Sequence, residues 1–253
     1  MMASTPAASK AEITKVDYGL DAPLVVRGMF NRGGWTLGFA LLMWWINRGE
    51  YPDVAARILA VLGLIGVAFL ATGAVMVWSS RVAKLRRCDQ LLDSLALGGG
   101  EKVLDVGCGR GLFAIGAAKR LKNGRVTGID VWSEVDLSGN SADAARQNAK
   151  LEGVADKVRF ETGDARKLVY PDANFDVVVS SLAVHNIPDR EGREQAVREM
   201  FRVLKPGGRL LIYDILKTAE YADVLRQAGA LDVALSPASY LWCLPSRSVT
   251  SRK

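Results

Sequence analysis

The chain has 253 residues, 49% of them hydrophobic, and its 33 basic against 27 acidic side chains give a formal net charge of +6. That length and apolar content can bury a full core, which excludes a low-complexity or disordered chain. Cys88, Cys108 and Cys243 form no paired framework and suit a reducing compartment, while a single histidine without clustered ligands points to no protein-bound metal.

The first residues, Met1 to Lys10, are small and polar and are expected to be disordered. Gly33 to Ile46 is an apolar run of about 14 residues, a length equally typical of a buried or an interfacial helix. Ile58 to Trp78 carries no charge over about 20 residues and reads as a membrane helix. Trp44, Trp45 and Trp78 close the two runs as an aromatic belt would. Both runs lie well inside the chain, unlike a cleaved secretion signal. Lys10, Lys15, Arg27 and Arg32 precede the pair and Arg81, Lys84, Arg86 and Arg87 follow it, whereas the connector balances Arg48 and Arg57 against Glu50 and Asp53. The positive-inside bias then places both ends in the cytoplasm. Gly63, Gly66 and Gly73 offer a close-packing face to the first helix or to a second copy, so a homodimer stays open. The competing reading is a helical pair buried in a soluble dimer. No basic stretch is interleaved with stacking aromatics, so nucleic acid is not an expected partner; the excess charge suits anionic lipid heads.

Beyond Arg87 short apolar strands alternate with helices, the pattern of a doubly wound, mostly parallel α/β sheet. Val103 to Val106 reads as a buried strand that breaks into Gly107-Cys108-Gly109-Arg110-Gly111, where alternate glycines permit backbone angles that side chains forbid and let a ligand approach the main chain. Cys108 there reads as a small space-filling residue rather than a nucleophile. Leu112 to Leu121 is the next helix, and Val126 to Asp130 a second strand ending in an acid roughly 20 residues past the turn, where a ribose-binding carboxylate is expected. Ser141 caps a helix to Glu152, and Val158 to Thr162 is the third strand, followed by Gly163-Asp164-Ala165. Phe175 to Ser181 is the fourth strand, and Arg190 to Val203 keeps helical spacing through Ala196, Val197, Met200 and Val203. Lys205-Pro206-Gly207-Gly208 turns into the strand Arg209 to Ile215. A helix at Glu220 to Ala228 and strands at Leu231 to Leu235 and Tyr240 to Val249 complete the chain.

The glycine turn falls one place short of the dinucleotide fingerprint G-x-G-x-x-G. Together with the acid at Asp130, the Gly163-Asp164-Ala165 triplet, the Phe175-Asp176 strand and the Lys205-Pro206-Gly207-Gly208 turn, it makes the segment from about Leu85 onward resemble the class I S-adenosylmethionine-dependent methyltransferases, among them the quinone- and sterol-type small-molecule enzymes. The resemblance implies a seven-stranded Rossmann-like methyltransferase fold with its last strand reversed, and S-adenosyl-L-methionine as cofactor. It further implies that Asp105, Gly107, Cys108, Gly109 and Gly111 meet the methionine end, that Asp130 holds the ribose, that Val131 beside it contacts the cofactor, and that Asp164 and Ala165 frame the adenine. Trp132 would pack on the base, and Ser180 would sit beside the donor on the fourth strand.

Methyl transfer is an in-line displacement that gains rate from positioning and exclusion of water. If a base is used, His185, just past the fourth strand, is the candidate; the plainer reading makes it a cap or packing residue. Asp176 reads as structural. Asp214, ending the fifth strand, reads as a residue on the ligand-facing edge, with Tyr213 pointing the other way. Only Leu216-Lys217-Thr218-Ala219 follows that strand before the next helix, so the cover is expected from Val16 to Leu24, with Tyr18, and from the membrane face. Residues 1–28 then form an N-terminal segment and lid, 29–80 a helical membrane hairpin, and 81–253 the methyltransferase domain. The expected function is a membrane-anchored enzyme, its catalytic domain facing the cytoplasm, that methylates a small lipophilic or lipid acceptor. The alternative is a catalytically silent donor-binding membrane scaffold or sensor; a nicotinamide oxidoreductase is disfavoured by the turn.

Overall fold

The computed structural model describes residues 15–240 and 244–253; the stretch 1–10 and Cys243 lie outside the described residues. Two long helices come first, α1 (Pro23–Asn47) and α2 (Pro52–Trp78), each opened by a proline whose missing N–H costs nothing in a first turn. α1 therefore begins ten residues before the apolar run at Gly33. Arg27 and Arg32 lie within it on exposed positions, because a charge limits an apolar count without breaking a helix. The helices pack antiparallel on their glycines. A Cβ at Gly33 would lie 2.6 Å from Leu70, one at Gly66 2.7 Å from Leu37, and one at Gly73 3.1 Å from Phe30, whereas Gly63 faces open space. Of the three glycines expected to form a packing face, Gly66 and Gly73 do and Gly63 does not.

α2 does not stop at the domain boundary. A π turn (Ser79–Ala83) leads straight into α3 (Lys84–Ser94), giving one helical rod from Pro52 to Ser94. The wider π turn accommodates an extra residue and so rotates the buried face. Above it Leu64 is 72% exposed, and below it Cys88, Leu91 and Leu92 are buried against the domain. By length and composition this is a helix able to cross a membrane.

The remaining elements are β1 (Lys102–Val106), α4 (Leu112–Arg120), β2 (Arg125–Asp130), α5 (Ala142–Leu151), β3 (Val158–Thr162), β4 (Phe175–Ser181), α6 (Arg190–Val203), β5 (Leu204–Asp214), α7 (Thr218–Gln227), β6 (Leu231–Leu235) and β7 (Arg247–Arg252). They build a seven-stranded sheet in the order β3-β2-β1-β4-β5-β7-β6, parallel except for β7, which runs antiparallel to both neighbours. The sheet order reverses beside β1, so the carboxyl ends of β1 and β4 diverge into a crevice. Ser141 caps α5 as expected, its hydroxyl accepting from the Ala144 N–H at 3.2 Å. β5 starts five residues earlier than Arg209, with a register shift opposite Phe175 to Val177 that absorbs the Pro206-Gly207-Gly208 segment. Tyr240 falls outside β7, which begins at Arg247.

Core side chains divide between the two faces of the sheet. Leu92, Ile115, Val177, Leu211 and Tyr213 lie on one. Leu104, Phe175, Met200, Ile212 and Tyr221 lie on the other.

The glycine contacts make a direct expectation. Gly33→Ala places a methyl group against Leu70 and the Gly66 carbonyl oxygen, 3.0 Å away, and is expected to destabilise the helix pair by roughly 1–3 kcal/mol. Gly63→Ala, in open space, is expected to be neutral or to stabilise by roughly 0.5–1 kcal/mol. Thermal unfolding of both variants in detergent checks the pair.

Candidate functional site

A cavity of about 720 Å³ opens at the carboxyl ends of β1, β2 and β4, within the range of roughly 300–1,000 Å³ usual for small-molecule sites. Its floor is the β1–α4 turn. Gly107, Gly109 and Gly111 have φ of 75°, 53° and 88°. At Gly107 the constraint is absolute, since a Cβ there would lie 2.1 Å from the Ala183 Cβ, where the chain leaves β4. Gly111 serves packing instead: it caps α4 with the Phe160 ring 2.9 Å from where its Cβ would be, and it lies off the cavity wall.

The turn's amides are not free. Gly107 and Cys108 donate to the Ile129 carbonyl at 2.8 and 3.0 Å, and Gly109 donates to Asp130 Oδ2 at 2.8 Å. Asp130 Oδ1 accepts from the Trp132 N–H at 2.7 Å and from Asn140 Nδ2 at 3.2 Å. This carboxylate therefore locks the ends of β1 and β2 together while it lines the cavity. Asn140, its side-chain partner, carries no motif in the sequence that would mark it.

Asp105 is the most exceptional group. It lines the cavity, is 1% exposed, and neither of its carboxyl oxygens makes a hydrogen bond of regular geometry among the described residues. Burial pushes it up to about 8, the Ala114 amide opposing the shift and the Asp130 charge adding to it. Burial likewise drives the Cys108 thiol far above its usual value, with Asp105 and Asp130 adding to the rise, which suits a space-filling residue rather than a nucleophile.

Asp164, Ala165 and Val131 line the cavity. The Asp164 carboxylate is held below its ordinary value chiefly by hydrogen bonding to Arg166, whose Nη2 lies 2.6 Å away. Two expected contacts fall elsewhere. Trp132 does not line the cavity; its backbone is left-handed, with φ of 61°, its ring packs on the core cluster that contains Phe160, and its Nε1 donates to Thr162 Oγ1 at 2.9 Å. Ser180 is fully buried within β4, where its hydroxyl donates to the Val106 carbonyl at 2.8 Å and ties β4 to β1.

His185 stands in a single 3₁₀ turn (Val184–Asn186) on the cavity wall. Its Nδ1 lies 2.6 Å from Asp214 Oδ1, an ion-pair contact out of line for a regular hydrogen bond, and its N–H donates to Asp214 Oδ2 at 3.1 Å. Asp214 is completely buried and off the cavity wall, so it meets His185 rather than a ligand. The Ile215 N–H and the Tyr221 hydroxyl donate to it at 2.8 and 3.3 Å. The alternation of β5 sends Tyr213 to the opposite face, where its hydroxyl is 2.5 Å from Ser246 Oγ. Asp176 is structural, as expected: it accepts from the Lys102 N–H at 2.8 Å and pairs with Lys205 at 2.7 Å.

The N-terminal segment crosses the cavity's outer side. Tyr18, Asp21, Ala22, Leu24 and Val25 line it. The segment is held on one edge by the loop after β2, through Leu20 and Ala22, and on the other by Lys84, whose Nζ donates to the Tyr18 carbonyl and to both Asp21 oxygens at 3.1 to 3.2 Å. Lys84 is itself buried and lines the cavity, a role that its position in a basic cluster does not reveal.

The Asp105 environment sets a pH dependence. Its folded value near 8 exceeds the unfolded value of about 3.9, so between these limits the folded chain keeps a proton that the unfolded chain has lost. Stability is therefore expected to fall as pH rises from about 4 to about 8, by up to about 1.4 kcal/mol per pH unit. Asp105→Asn should flatten this slope in denaturant titrations run across that range.

Comparison with known proteins agrees with this geometry. Residues 103–208 match the family described as a methyltransferase domain. The 27-O-demethylrifamycin SV methyltransferase of Amycolatopsis mediterranei is 40% identical over 134 residues, 53% of this chain and 46% of that protein. The demethylmenaquinone methyltransferase of Deinococcus radiodurans is 39% identical over 140 residues, 51% of this chain and 54% of that one. The chain spans about half the length of the curated relatives it matches. A SAM-dependent methyltransferase from Aquifex aeolicus shares the fold, with a TM-score of 0.51 at 20% identity over 67% of this chain and 96% of that one. The α/β part of this chain accordingly carries a match to the methyltransferase-domain family over residues 103–208 and shares the fold of a SAM-dependent methyltransferase.

Proposed function

We propose that this chain is a membrane-anchored methyltransferase, held by the α1–α2 hairpin with its α/β domain on the cytoplasmic side, and that it methylates a lipophilic small molecule. The observation that carries the reading is the extent of the cavity. One wall is the glycine turn with Asp105 and His185, and the other is the base of the hairpin, Leu24, Val25 and Met76. Anchoring is supported by the hairpin's outer surface. Trp35, Leu42, Trp45, Val61 and Leu64 are all more than half exposed, an apolar surface unusual for a protein in water. Arg48 stacks on Trp44 and Trp45 at the hairpin tip, with ring distances of 5.2 and 4.9 Å, as interfacial side chains do. The demethylmenaquinone relative supports an acceptor of the quinone type.

The residues fit the donor. The buried Asp105 carboxyl on the cavity wall suits an ammonium group. Asp105 and the turn would hold the methionine end, Asp130 and Val131 the ribose, and Asp164 and Ala165 the adenine. S-adenosylmethionine, when bound, supplies an electrophilic methyl group. His185 serves as the base that takes a proton from the acceptor: with Nδ1 against Asp214, its Nε2 is the ring nitrogen left for substrate. Asp214, fixed by Ile215 and Tyr221, orients the imidazole. The segment through Tyr18 and Asp21 covers the site and keeps water out.

Incubating the protein with a membrane extract and a deuterated methyl donor, followed by mass spectrometry, is expected to show label in a lipid-soluble product; label confined to water-soluble products overturns the lipophilic assignment. Asp130→Ala is expected to abolish donor binding in calorimetry. His185→Ala should lower kcat by about 10²–10⁴-fold with little change in donor affinity.

A further inference from the structure

The lining of the cavity extends beyond the glycine turn and His185 to the first turn of α1, with Leu24 and Val25, and to the last turn of α2, with Met76. Leu24 is 67% and Val25 47% exposed, so this seam between the two helices borders the hairpin's apolar outer surface. About 720 Å³ is the size of a small-molecule site, so an acceptor carrying a long hydrocarbon chain, seated beside the donor, would extend beyond it. A chain of that kind has to leave the cavity, and an apolar chain leaves at least cost through apolar walls. The segment that Lys84 and the loop after β2 hold in place lies along another side of the cavity.

We infer that the seam between Leu24, Val25 and Met76 is a lateral port through which a long-chain acceptor enters from the bilayer, its polar head reaching His185 while its tail stays in lipid. This rests on the membrane-anchored reading above and adds the acceptor's class, a molecule with one polar end and an extended hydrocarbon tail, and its route. It also accounts for the placement of the π turn. Ser79 and Ser80 line the inner end of the seam, where α2's lipid-facing side gives way to α3's domain-facing side.

The test uses the full chain in vesicles of phosphatidylethanolamine and phosphatidylglycerol, with hexadecanol carrying a photoreactive diazirine beside its hydroxyl group as the probe. Flotation of the vesicles reports anchoring, and peptide mass spectrometry after illumination reports contacts. The expected result is flotation of the protein, with adducts on Val25 or Met76 and on the inner residues Leu182 and Ile187. Met76→Arg should cut the inner adducts about tenfold or more, because a charge in an apolar passage is costly, while adducts on the lipid-facing Leu64 stay constant and report an intact hairpin. Met76→Trp, which blocks by bulk alone, should act in the same direction. Inner adducts that survive both substitutions, or adducts confined to the outer faces of the helices in floating protein, overturn the port and leave anchoring intact. Protein that does not float overturns both.

Discussion

The site rests on a single steric constraint, the approach of the Gly107 backbone to Ala183, in which only a hydrogen atom fits. That contact joins the end of β1 to the segment leaving β4, and everything on the cavity's inner wall is placed relative to it. The segment carrying Ala183 continues directly into the turn that presents His185, and the glycine turn continues into α4. Ser180, one strand turn earlier, reinforces the junction by bonding to the Val106 carbonyl. Asp105 lies buried at the bottom, and burial of its carboxyl costs stability.

Sequence spacing reveals the sheet because most strands are short, apolar and bounded by glycine or an acid, while the structure starts the fifth strand five residues earlier and moves the last one from Tyr240–Val249 to Arg247–Arg252. The site is legible where backbone geometry dictates residue type. Gly107 and Gly109 had to be glycine, and a carboxylate at Asp130 had to follow the second strand. It is illegible where a side chain's direction decides. Trp132 turns away from the cavity because its own left-handed backbone swings the ring toward Thr162. The partnership of His185 with Asp214 depends on two strand ends that lie next to each other only once β5 pairs with β4. Lys84 looks like one more juxtamembrane cation, and only the folded N-terminal segment gives it four oxygen atoms to hold.

The same division holds for the helices. Apolar run length finds α2 and understates α1, because Arg27 and Arg32 interrupt the count without interrupting the helix. No periodicity announces that α2 and α3 are one rod, since the apolar stripe changes face at the π turn. A reader following a single stripe loses the helix there.

That unbroken rod from Pro52 to Ser94 fixes more than connectivity. α3 is packed against α4 through Leu92 and Gly116, so the domain has no swivel at its stem. On the anchored reading, the cleft rides at a set altitude over the phosphate plane, and the angle at which the hairpin leans becomes the angle at which the cleft meets its lipid. Bilayer thickness, which governs such leaning, thereby becomes a setting for the enzyme's reach.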